Sequence, residues 1–353
     1  MRKLVLLGAG LAHLDLLSTL ARKQPAGLQL TLISSYPLHL YAARVPGFVA
    51  GQHALEDCLI NLEPMLPKAG ARWLTGSVAA LDVKESTLRL ADGSTFAFDW
   101  LSIDTGALQN RQQIEAILPG AREHGLFVRP LQAFCALWPK VTEMATDRSL
   151  RIAVMGDDLM SIELALAMRQ RLPGSSVTLV AGTTGLAGAA ALGHEQRIRK
   201  ILKEHRVTVL AERAVGIEAE QVLLGNGARL ACDVPVIASA GQAPAWLAGS
   251  ALTLDRHGQV AVDAFGRSIS HPQVFAASTT PSRARPALAE NLLALLAGSP
   301  ARRRQPGPDH WNFVAYGQGR ALLNWRGFST QGRWAGWLKD WLDSRYLRRY
   351  RRD

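Results

Sequence analysis

Two glycines define the chemistry to look for. Gly8 and Gly10 follow the apolar run Lys3–Leu7 and precede a helical pattern reaching Leu20, in the order G-x-G-x-x-H through Leu11, Ala12 and His13. The first glycine permits a tight strand-to-helix turn. The second lets backbone approach a diphosphate, which then rests on the positive end of the helix. The pattern is one residue short of the full dinucleotide fingerprint, because His13 stands where a third glycine is usual. Ser34, at the end of the next strand, holds the place where an acidic residue commonly binds ribose hydroxyls, and a hydroxyl bonds there less strongly than a carboxylate. A second corner of the same kind lies at Gly156, but Asp157 and Asp158 follow it directly. A carboxylate about 4 Å from a phosphate costs roughly 4 kcal/mol at an effective dielectric of ~20. Ala181 also lacks the usual ribose-binding acid. NAD(P)H is therefore a doubtful ligand of this second half.

No other constellation competes. Cys58, Cys135 and Cys232 form no C-x-x-C or C-x4-C pair, which excludes a local redox disulfide and a zinc ribbon. They read as small buried apolar residues and suit a reducing compartment. No Ser/His/Asp arrangement or metal cluster is present in the pattern, so no metal is expected.

The elements that must position the corners repeat. Lys3–Leu7, a helix to Leu20 and the strand Leu28–Ile33 are followed by Thr87–Leu90 and Thr95–Phe98 around Asp92-Gly93, a hairpin signal, and then by the buried strand Asp99–Thr105. Arg151–Met155, the helix Ser161–Arg171, Val177–Val180, a hairpin turn at Asn226-Gly227 and Val234–Ala238 give the same order again. The predicted fold class is α/β: two Rossmann-like doubly wound domains, the second inserted into the first, with a C-terminal amphipathic helical tail. Residues 1–110 and 235–300 are assigned to one domain, 111–234 to the other, and 301–353 to a separate basic, Trp-rich element.

The runs LVLLGAGLAHLDLL, LTLISSYPLHLYAARVPGFVAGQ and LADGSTFAFDWLSIDTGA resemble FAD-dependent pyridine nucleotide-disulfide oxidoreductases. The type II NADH dehydrogenase-like branch is most similar, including the domain fused to selenide, water dikinases. VAVDAFGRSISHPQVFAAS, RPALAENLLALLAG and GRWAGWLKDWLDSRYL resemble later segments of that family, in the right order along nearly the whole chain. The resemblance implies that Gly8, Gly10, Leu11, Ala12 and His13 cradle the FAD pyrophosphate and that Ser34 faces the adenosine ribose. Arg44 and Pro46, within Ala43–Gly47, would lie near the isoalloxazine. Thr105 and Gly106 would close over the cofactor. Thr279 takes the place of an Asp that bonds the ribityl chain, and Leu288 lies in the Ala287–Ala289 opening of a helix whose N-terminus would face the flavin. In the second half, Gly156 and Glu163 are the NAD(P) candidates, Glu163 at the position facing the nicotinamide. His13 and Arg44 are candidates for assisting charge at the flavin, with a structural role the alternative. Without paired cysteines, electrons would pass directly from flavin to a quinone or another small acceptor. The eroded positions Asp158, Ala181 and Thr279 keep a second possibility open, a degenerate flavoprotein fold acting as a membrane- or partner-binding module without turnover.

The net charge is +11, and residues 301–353 hold eleven Arg, one Lys and four Asp, so +8 of it sits there. Trp334, Trp337, Leu338, Trp341 and Leu342 recur on one helical face with Arg and Lys around them, a pattern that suits the interface of an anionic membrane through 333–352, or packing onto the body or a second subunit. No nucleic-acid module accompanies the charge, so nucleic acid is not expected. The N-terminal run is interrupted by His13 and Asp15, unlike a secretory signal, and no stretch reaches the ~20 apolar residues of a spanning helix. The expected location is the cytoplasm, with peripheral attachment to the inner membrane face as the use of the tail.

Overall fold

The computed structural model describes residues 1–23, 26–106, 108–186, 188, 194–239, 241–277, 285–300, 311–325 and 328–351. Thr279 lies outside the described residues.

Apolar runs rich in Leu, Val and Ile make strands buried on both faces, and such strands pair in parallel under covering helices. Arg2–Leu7 (β1) is one of these, its last four residues buried. Gly8, at φ +91°, ends it, and α1 (Leu11–Lys23) follows. The chain returns as β2 (Leu28–Ser34), with Leu7 opposite Ile33. β3 (Ala71–Thr75) pairs beyond β2, and β4 (Trp100–Ile103) pairs on the other side of β1. The Asp92-Gly93 hairpin lies in a small antiparallel meander, Val78–Asp82, Thr87–Leu90 and Thr95–Ala97.

A second parallel sheet repeats the plan. It is built from β5 (Leu126–Phe127), β6 (Arg151–Met155), β7 (Ser176–Val180), β8 (Val207–Leu210) and β9 (Val234–Ile237), with α2 (Leu159–Arg171) after β6. β9 pairs with β6, Ile152 opposite Val234. The crossing back to the first sheet therefore comes after Ile237 rather than at residue 234. β10 (Val274–Ala276) then pairs with β4, giving the order β10-β4-β1-β2-β3, against β5-β9-β6-β7-β8 in the second sheet. α3 (Arg285–Leu296) packs on α1.

The C-terminal element is an antiparallel sheet, β11 (Asn312–Ala315), β12 (Ala321–Trp325) and β13 (Phe328–Gly332), followed by α4 (Arg333–Tyr350). Ala335, Asp343, Leu347 and Tyr350 form the buried face of α4, while Trp334, Trp337 and Trp341 are 50%, 67% and 39% exposed. Polar contacts fix this orientation. The Tyr350 hydroxyl donates to Asp15 on α1, Tyr41 donates to Asp343 at 2.9 Å, and Arg44 meets Asp340 at 3.1 Å. Tyr346 stacks on Tyr41 with ring centroids 5.3 Å apart. Among the described residues no helix is long and apolar enough to cross a membrane.

Candidate functional site

The corner at Gly8–Ala12 stands at the carboxyl end of β1, between β2 and β4. Gly8 is needed twice over: its φ is +91°, and a Cβ there would lie 2.4 Å from the Asp104 carbonyl oxygen. Gly10 is needed for a different reason. A Cβ on it would lie 2.0 Å from the Asp104 side-chain Cγ. Asp104 Oδ2 accepts the Ala12 backbone N–H at 2.8 Å, which places a carboxylate on the N-terminus of α1. The N–H of Leu11 has no partner among the described residues. N–H groups without a helical carbonyl partner, together with the positive dipole end, are what hold an anion at such a corner.

His13 supports this corner from behind. Its backbone N–H bonds back to Gly10, and its fully buried ring lies 2.6 Å from the Gly8 carbonyl through Nδ1 and 2.8 Å from the Ser102 hydroxyl through Nε2. A carbonyl can only accept, so Nδ1 carries the proton and Nε2 accepts from Ser102. Burial lowers its pKa, against the pull of Asp104 and the Gly8 bond, so the ring is held neutral. It does not enter the cradle. His39, which sequence reasoning passed over, donates through Nδ1 to the Ala9 carbonyl at 2.7 Å and pins the turn from the other side.

Ser34 is committed elsewhere than expected. Its hydroxyl donates to the Tyr36 carbonyl at 2.7 Å and accepts from Trp73 Nε1 at 3.2 Å, which closes the turn after β2. Arg44, nearly buried, donates to Asp340, to Ser344 and to the Asp57 carbonyl, so its charge is already matched by the C-terminal helix. Pro46 is buried in the short helix Val45–Val49. Gly106 turns the chain after β4 at φ +72°, with Thr105 partly buried before it. Leu288 belongs to the apolar core beneath α1, because α3 begins at Arg285, earlier than the expected opening around Leu288.

At the second corner, Gly156 ends β6 and Asp158 caps α2, accepting from the Ser161 N–H at 2.8 Å and the Ser161 hydroxyl at 2.6 Å. Gly188 donates to the Asp157 carbonyl at 2.8 Å, and a Cβ on it would lie 2.7 Å from the Leu159 nitrogen. Backbone thus lies over the helix end where a phosphate would have to enter. Glu163 is buried and accepts the Ala315 N–H at 2.7 Å. It is covered by β11 instead of facing open space, and burial raises its carboxyl to about 7, partly offset by Lys339 and the Ala315 bond.

Between the Val45–Val49 helix and the C-terminal element runs a cleft of about 560 Å³, bordered by Arg44, His53, Arg320, Arg333, Trp337 and Lys339. His53 is lowered by burial and by neighbouring Arg44. Among the described residues no group of His, Cys, Asp or Glu is placed to hold a metal.

The sequence profile of the pyridine nucleotide-disulphide oxidoreductases matches residues 2–290. The chain belongs to that family. A NADH dehydrogenase-like protein of Mycobacterium tuberculosis is 28% identical over 311 residues, covering 78% of this chain and 72% of its own. The sulfide:quinone oxidoreductase structure of Aquifex aeolicus superposes with a TM-score of 0.80 at 15% identity, over 99% of this chain and 92% of that one. NDH2 of Plasmodium falciparum in complex with NADH gives 0.78 at 12%, over 98% and 96%. At such identities the two structures speak for the fold alone.

As a pyridine nucleotide-disulphide oxidoreductase the protein is an FAD-dependent oxidoreductase. The first corner suits that cofactor in kind. Its donors already hold an anion, and the Asp104 carboxylate stands in for a phosphate oxygen. The disulphide of the family name has no counterpart here: Cys58, Cys135 and Cys232 are free and buried. Burial pushes their thiols up to about 11, 12 and 11, which leaves them poor nucleophiles.

Proposed function

We propose that the protein carries electrons through FAD from a reductant to a quinone or another small acceptor. The observation that carries this reading is the first corner. Two glycines admit an anion to a helix N-terminus at the carboxyl edge of a parallel sheet, where open α/β sheets bind nucleotides. In this reading the Leu11 and Ala12 N–H groups hold the diphosphate and Gly8 and Gly10 make room for it. His13 and His39 keep the turn rigid, and Ser34 closes the adenosine end. Arg44 and Pro46 border the ring system, Thr105 and Gly106 line the cofactor's path, and α3 above Leu288 turns its positive end toward the flavin. When bound, FAD supplies a two-electron carrier. The cleft beside Arg44 is the proposed entrance for the acceptor.

The FAD-binding domain is assigned to residues 1–110 together with the return after Ile237 to residue 300. Residues 111–237 form the second domain, and 301–353 the C-terminal element. The outward Trp face of α4, with Arg345, Arg348 and Arg349 beside it, is the proposed contact with an anionic membrane surface.

The visible spectrum of the purified protein tests the reading directly. Bands near ~450 nm are expected for bound flavin, together with reoxidation of the dithionite-reduced protein by a soluble quinone. A colourless protein that takes up no added FAD would overturn it.

A further inference from the structure

We infer that Asp104 is an internal competitor for the diphosphate site: its carboxylate occupies the α1 N-terminus until FAD displaces it. This rests on the FAD reading of the first corner. The geometry is specific. Asp104 lies 92 positions from Ala12 in sequence, yet its Oδ2 accepts the Ala12 N–H at 2.8 Å, one of the donors that a diphosphate at this corner needs. Its Cγ fills the space that the missing side chain of Gly10 leaves, 2.0 Å from where a Cβ would stand. The glycine that normally clears the way for phosphate here clears it for a carboxylate. Two anions cannot share that space, since neither has a hydrogen to offer the other and both need the same N–H.

Only the side chain has to move. The Asp104 backbone is fixed in the sheet by its N–H bond to the Leu7 carbonyl at 2.8 Å, and its own carbonyl packs against Gly8. A turn about the side-chain bonds clears the cradle without disturbing β4. The arrangement has two consequences of opposite sign. Without FAD, the carboxylate satisfies an orphan N–H and the helix dipole, so it stabilises the empty fold. With FAD, breaking that contact and keeping a negative charge beside the diphosphate weakens binding. One contact thus favours the fold and opposes the cofactor.

Replacing Asp104 separates these effects. Asp104→Ala and Asp104→Asn are expected to bind FAD at least tenfold more tightly than the wild type in a flavin-fluorescence titration of the deflavinated protein. ADP, a probe for the diphosphate corner alone, should show the same gain by calorimetry. The empty Asp104→Ala protein should melt at a lower temperature than the empty wild type, while saturating FAD raises its melting temperature by more. A purely structural aspartate would lower stability and leave affinity equal or weaker. Equal or weaker FAD and ADP binding in both variants, with the wild type binding FAD measurably, overturns the inference and leaves the FAD reading intact. No FAD binding by the wild type or by either variant overturns both.

Discussion

At the scale of single residues, the groups that matter are carboxylates that accept a backbone N–H from a distant segment. Glu163 is the clearest. It is enclosed between α2 and β11, and its carboxyl is raised from 4.5 to about 7, chiefly by burial. The folded protein therefore holds this proton more tightly than the unfolded chain does. The stability this gives is complete below about pH 4.5 and is lost as the pH climbs to about 7. A gap of that size corresponds to roughly 3 kcal/mol at ~1.4 kcal/mol for each tenfold in proton affinity. Glu163→Gln keeps an oxygen for the Ala315 N–H and carries no charge to bury. Urea unfolding of the variant should show a flatter dependence between pH 5 and 7 and a gain of about 1–3 kcal/mol over the wild type at pH 8. Parallel pH profiles for the two proteins would show that Glu163 is solvated, contrary to its position. Neither this role nor that of Asp104 was legible in the sequence. Each depends on a backbone N–H brought in from a distant segment, Ala315 for the one and Ala12 for the other. Local patterns carry no trace of such partners. Ser34 shows the same limit: it does end β2, but Trp73 and Tyr36, which occupy its hydroxyl, could not be foreseen.

At the scale of elements, much more was legible, because strand and helix periodicities are local. The strands around Gly8 and Gly156, both hairpin turns and the duplicated order follow from short apolar runs punctuated by glycine. The face that α4 buries did not follow. Its tryptophans mark one side as the apolar one, and an apolar side ordinarily faces the body. Here the body takes the opposite side, through Asp343 with Tyr41, Tyr350 with Asp15, and Arg44 with Asp340, and Trp337 is left 67% exposed. This orientation separates two functions of one helix and shapes the test of each. Trp334→Ser, Trp337→Ser and Trp341→Ser together should change stability by less than about 1 kcal/mol, since exposed side chains lose little on truncation. The same triple variant should lose co-sedimentation with vesicles of anionic lipid, by about tenfold or more for amphipathic rings that rest in the interface. Deletion of 333–353 could not make this distinction, because it also removes the buried anchors. Undiminished vesicle binding by the triple variant would exclude the tryptophan face as the membrane contact.

At the scale of the whole molecule, the two halves share one plan but not one fate. Both carry a carboxylate on the N-terminus of the helix that follows the glycine corner, Asp104 on α1 and Asp158 on α2. Asp104 arrives from a neighbouring strand and can turn away. Asp158 is the cap of its own helix, bound to both the N–H and the hydroxyl of Ser161, and the backbone at Gly188 lies across the same end. Clearing the second corner would mean uncapping α2 and shifting that backbone together. The second unit does have another task, since β11 rests on α2 through the buried Glu163 and so seats the C-terminal element against the rest of the chain. A scaffold with a closed nucleotide corner accounts for every one of these contacts. The repulsion of roughly 4 kcal/mol between Asp158 and a phosphate is as large as the whole binding free energy of a ligand with a Kd of ~1 mM. Anaerobic titration with NADH or NADPH should therefore leave the flavin absorption unbleached at concentrations where dithionite bleaches it fully. Asp158→Gly should weaken the protein by only about a few tenths of a kcal/mol through the lost cap, and it should restore little reduction while Gly188 still covers the helix end. Prompt bleaching of the wild-type flavin by NADH would mean that the corner opens in solution, and the second half would then be a working nucleotide site.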